Sequence, residues 1–166
     1  MSDLFFLLGE PLSESEKRQV EQYLHGLGID DPLPIESVRD WKSAGQALTN
    51  PEWDRRWWDA EQHETGRLYE KVSADLGESE LLKSLSRTLQ SSETVHGAAA
   101  VEAARRGCAD AALIRVAAGA ASQALHLADL ARLSGERATH PFLVKAALFA
   151  GGHWPLGIVN GRYWVF

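Results

Sequence analysis

The sequence predicts an α+β fold, mostly α. It is a helical bundle around a central Ala-rich helix, with a small β-sheet made from an N-terminal strand and a C-terminal hairpin. Three observations lead there. From Asp110 to Leu133 the chain is apolar around nearly its whole helical circumference, broken only by a stripe of Arg115, Gly119, Ser122, His126 and Asp129. Such a helix is expected to be packed on most of its sides. Helical spacing of apolar residues, with caps and glycine stops, recurs along most of the chain between Ser13 and Phe149. At the C-terminus, Leu156 to Val159 and Tyr163 to Phe166 flank Asn160-Gly161, a pair that supplies the positive φ angles of a tight hairpin turn.

Taken in order, Leu4-Phe5-Phe6-Leu7-Leu8 is an apolar run too short for a helix, ended by Gly9 and Pro11, and reads as a buried strand. Ser13 with Glu16 is a capping box opening a helix that ends at Gly26 and Gly28. Ile35 to Val38 suits a second short strand, and Trp41 to Leu48 a short helix weakened by Gly45. Asn50-Pro51 reads as the start of a helix running to Leu76, with Gly77 as its stop. Glu80 to Leu89 reads as a shorter helix with its leucines on one side. Ser91 or Ser92 then caps another that closes at Arg105, Arg106 and Gly107. After the central helix, Ser134-Gly135 breaks the chain and His140-Pro141 opens a last apolar helix through Phe149. Strands this short need partners, so the termini are expected to meet in one sheet.

A chain of 166 residues fits a single domain over 1–166 that needs no metal or disulfide to fold. One cysteine, Cys108, makes no internal disulfide, which points to a reducing, cytoplasmic setting. No signal peptide is legible, and no stretch is expected to span a membrane. The charge of −6 gains little from a phosphate backbone, so nucleic acid is not an expected partner.

No complete catalytic, cofactor or metal motif occurs, and no cofactor is expected. Ser122, His126 and Asp129 share the residue types of a hydrolytic triad. A mid-helix serine, however, lacks the strained turn and free amide donors that such a nucleophile uses. With Arg115 they form the alternative candidate, a ligand-binding or hydrolytic stripe, against a solvated stripe or a polar seam against another helix. Glu93 and His96 have the spacing of half a di-iron site, without the second pair. Asp59, Glu61, His63 and Glu64 show no diagnostic metal spacing. The most unusual composition lies in Trp53, Asp54, Trp57, Trp58, Asp59, Glu61 and Glu64, where three tryptophans alternate with charges. They either cover the bundle or form a partner-binding face with acidic steering and a Trp anchor.

The closing stretch carries a resemblance. His140-Pro141-Phe142, Gly151-Gly152-His153-Trp154-Pro155-Leu156-Gly157 and Tyr163-Trp164-Val165-Phe166 resemble the tails of small bacterial immunity proteins. Those proteins accompany toxins of contact-dependent growth inhibition and related polymorphic systems. The likeness covers the last quarter of the chain and transfers no functional position. It implies an acidic, cytoplasmic, non-enzymatic protein that holds one cognate toxin domain in a tight complex.

Overall fold

A computed structural model describes residues 4–166. In chain order these form α1 (Glu14–Gly26), β1 (Ile35–Ser37), α2 (Trp41–Leu48), α3 (Arg55–Leu76), α4 (Glu78–Arg105), α5 (Ala111–Leu133), α6 (Pro141–Ala150), β2 (Pro155–Val159) and β3 (Arg162–Val165). The fold is α+β and mostly α. The sheet has the order β1-β3-β2, with β3 antiparallel to β2 and parallel to β1. Asn160 and Gly161 turn the hairpin with φ of 52° and 68°, as their residue types require.

Local chemistry accounts for most boundaries. The Ser13 hydroxyl accepts from the Glu16 amide while the Glu16 carboxylate accepts from the Ser13 amide, closing the capping box on α1. Asp40 caps α2 through the Ser43 amide, and Asp110 caps α5 through the Ala112 and Leu113 amides. Pro141 stands in the first turn of α6 behind the His140 cap. Gly45 weakens α2 by propensity but brings it against Leu113, whose Cδ2 would lie 3.4 Å from an added Cβ.

Several expectations are corrected. Leu4 to Leu8 is not a strand: the segment winds through successive turns, with Phe5 at a φ of 67°. Phe5 and Leu8 are fully buried, and the Phe5 ring meets Phe149 edge-on at 6.3 Å. The N-terminal partner of the hairpin is instead Ile35–Ser37. α3 begins at Arg55, not at Pro51. The Asn50 side chain accepts from the Glu52 amide in a turn, and the next residues are tied to the hairpin by bonds from Asp54 N to Ile158 O and from Asn160 N to Glu52 O. The two helices expected between Glu80 and Arg105 are one. Neither Ser91 nor Ser92 caps a break, because their hydroxyls donate back to the Thr88 and Leu89 carbonyls of the preceding turn.

α5 packs against α4, and Ala117, Ala121 and Ala124 share one buried cluster with Val95, Ala99 and Ala103 of α4. It also packs on α6 and, more lightly, on α3. The enclosure is less complete than the sequence implies. Ala112, Arg115, Val116 and Gly119 are exposed and Ala120 is only half-buried, because the eight residues of α2 leave that side of the N-terminal half open. By length and composition α5 also qualifies as a membrane span, contrary to the expectation that no stretch would. Its alanines raise hydropathy while letting α4 approach closely.

Candidate functional site

The tryptophan segment divides into an inward and an outward half. Trp57 is buried, its Nε1 donating to the Tyr23 hydroxyl at 2.7 Å. Glu61 is 3% exposed and lies at the centre of a buried polar cluster. It accepts from Lys145 Nζ at 2.5 Å and from the Tyr23 hydroxyl. The same ammonium sits 5.3 Å from the Trp57 ring centroid. Burial, then the Glu61 charge, push the Tyr23 hydroxyl well above its usual pKa, so it remains a donor. Asp54 is spent as the α3 cap and on Arg56. Glu64 accepts from Arg67 and His140. Burial raises its carboxyl pKa, but those two bonds outweigh it and bring the value down to about 2. Trp57, Glu61 and Glu64 therefore act within the fold and are not free to anchor or steer a partner.

Trp58 faces out, 37% exposed, with Trp53 half-buried beside it at a ring separation of 6.1 Å. Asp59 is exposed and paired with Arg55. Both tryptophans and Arg55 border a hollow of about 580 Å³ that continues over Leu48 and Thr49. Those two residues also border an open groove of about 1050 Å³ between α2 and the exposed side of α5. Its apolar lining comes from Trp41, Leu48, Leu113 and Val116, and Cys108 opens onto it. Lys42 and Arg106 stand on its rim with Asp40 and Asp110. A tryptophan ledge leading into an apolar groove edged by both signs of charge can bury a protruding side chain or an extended segment.

The polar stripe of α5 does not line this groove as a unit. Arg115 points to solvent, Ser122 is half-buried, and His126 is buried. His126 and Asp129 are joined by Ser84 of α4, which the sequence reading did not single out. Ser84 Oγ donates to Asp129 Oδ2 at 2.6 Å and lies 3.2 Å from His126 Nδ1. Thr88 Oγ1 lies 3.3 Å from the same nitrogen and donates to the Ser84 carbonyl. With both hydroxyl protons committed elsewhere, Nδ1 carries the imidazole proton and Nε2 accepts from the Tyr69 hydroxyl at 2.6 Å. Ser122 makes no hydrogen bond to His126 among the described residues, and Ser84, which does meet the ring, gives its proton to Asp129, so no serine hands its proton to the histidine as a triad requires. Burial lowers the His126 pKa against the pull of Asp129, keeping the ring neutral. His126 and Asp129 thus belong to a polar seam joining α3, α4 and α5.

Glu93 and His96 are exposed, and among the described residues no three His, Cys, Asp or Glu side chains converge on a metal position. Lys145 and Tyr23, the partners of Glu61, were also missed. The lone cation in the apolar run Pro141–Ala150 was the available signal.

Comparison with protein-family models, curated proteins and solved structures finds no match for this chain.

Proposed function

We propose that this chain is a specific protein-binding protein, acting in the cytoplasm as an immunity protein that neutralises a cognate toxin domain by forming a tight complex. The observation carrying the reading is the exposed Trp58 ledge, whose hollow shares Leu48 and Thr49 with the groove between α2 and α5. Tryptophan beside arginine at the edge of an apolar depression is the composition of interface hot spots. The C-terminal resemblance supplies the toxin as the class of partner. Neutralisation follows from covering the toxin's active site or its substrate-binding face. The net charge of −6 favours encounter with a basic surface.

The test is co-purification with the variable C-terminal domain of a large secreted protein encoded beside this gene, together with rescue of cells expressing that domain. Trp58→Ala is expected to cost about 2 kcal/mol or more of affinity, mainly through faster dissociation. Asp59→Lys is expected to slow association, most at low salt. Full affinity in Trp58→Ala and Val116→Asp together removes the groove from the interface.

A second reading draws on the size of the groove, which equals that of a pocket for a drug-sized ligand. An apolar small molecule that protects the protein against heat, and loses that effect in Val116→Asp, favours a ligand-binding protein.

A further inference from the structure

α4 presents an apolar face that no other element covers among the described residues. Leu82, Leu85 and Leu89 recur at i, i+3 and i+7 and are 64%, 44% and 64% exposed. The opposite side of the same helix carries the buried Ser84 and the seam to α5. Three leucines on one stripe of a helix are a recognition pattern rather than scattered surface apolar residues.

The charges around the stripe identify what fits it. Lys83 is held by Glu80 at 2.6 Å, and Arg87 by Asp129 at 3.1 Å. Glu78 before the leucines and Glu93 after them are exposed, and among the described residues neither forms an ion pair. The free charge is therefore negative at both ends. A second copy of the chain is a poor occupant. In a parallel pairing Glu78 meets Glu78 and Glu93 meets Glu93. In an antiparallel pairing that matches Leu82 with Leu89, Glu78 meets Glu93. Acid faces acid either way, which is unfavourable. An anionic membrane is disfavoured for the same reason.

We propose that this face docks an amphipathic helix of a partner protein, with leucine-like residues at i, i+3 or i+4 and i+7 and a Lys or Arg at each end. At 1.5 Å rise per residue the two acids lie about 22 Å apart along the axis, so the docking segment spans about four turns. The face is independent of the tryptophan ledge, which lies on different residues.

The probe is a synthetic helical peptide of about sixteen residues with that leucine spacing and paired lysines at both ends. Its counterpart carries glutamates at the ends. Binding of each to the full chain is measured by fluorescence anisotropy, alongside light scattering of the chain alone and sedimentation with anionic phosphatidylserine vesicles. The lysine-ended peptide is expected to bind at least tenfold more tightly than the glutamate-ended one. Leu85→Ser with Leu89→Ser should weaken it at least tenfold while leaving the circular-dichroism spectrum and unfolding midpoint unchanged. Glu78→Lys with Glu93→Lys should reverse the preference, and Trp58→Ala should leave it unaltered, which separates this face from the groove. Absence of binding, equal binding of the two peptides, a dimer dissolved by the leucine substitutions, or vesicle binding abolished by them would each overturn the proposal.

Discussion

Glu61 and Lys145 show what a buried ion pair does in this molecule. Each is less than a tenth exposed, so removing either leaves an uncompensated charge among aromatic rings. Lys145→Met is expected to cost about 3–5 kcal/mol in urea unfolding, because the Glu61 carboxylate keeps only the Tyr23 donor. Lys145→Met combined with Glu61→Gln should cost distinctly less, since no charge is then stranded. His126 governs a pH dependence. Its pKa is lowered by burial, so the unfolded chain binds the proton more readily than the folded one. The stability tied to the neutral ring is therefore complete above pH about 6.5 and falls as the pH drops from there through the folded pKa. His126→Gln should flatten that part of the stability profile. The loss at more acid pH, from about 4.5 down to about 2 as the Glu64 carboxylate protonates, should remain.

Between helices, the closest fit is the alanine contact of α4 and α5. Ala121 is fully buried against it, whereas Ala120 is only half-buried. Ala121→Leu should therefore lower stability by about 1–3 kcal/mol, and Ala120→Leu by much less. Thermal unfolding of the two variants compares them directly. Elements with a local chemical signature were legible in the sequence: the Ser13 capping box, the His140-Pro141 start and the Asn160-Gly161 turn all lie where their residue types placed them. What escaped depends on contacts distant in sequence. Pro51 looks like a helix start, but the hairpin ties down the residues that follow it. Gly157 lies within the first run of the predicted hairpin, which gives no sign of its contact. In the fold it has a φ of 120° and lies where a Cβ would come within 2.7 Å of the Trp57 ring. The inward half of the tryptophan segment could not be told from the outward half, because its partners Tyr23 and Lys145 come from α1 and α6.

At the level of the molecule, β3 holds the architecture together: it is the only strand that touches both others. Val38, Trp41, Trp154 and Phe166 are buried, and Phe166 is bonded to Trp154 through both backbone groups. The Trp41 ring packs edge-on against Phe166 at 5.3 Å. Deleting Arg162 to Phe166 is therefore expected to abolish cooperative unfolding, measured by near-ultraviolet circular dichroism, and not merely to lower its midpoint. Helical signal in the far ultraviolet should survive in part, since α4 and α5 pack without the sheet.

The parallel pairing of Ile35 with Tyr163 also sets a schedule for the chain on the ribosome. Residues 35–37 leave the exit tunnel with no strand to receive them, and five helices and β2 are made before that strand exists. Until then Val38 and Trp41 have no Val165 or Phe166 to cover them. The nascent polypeptide thus carries a sticky, unfinished edge through most of its synthesis. Slower translation or scarce chaperones are therefore expected to lower the yield of folded protein, even where its equilibrium stability is unchanged.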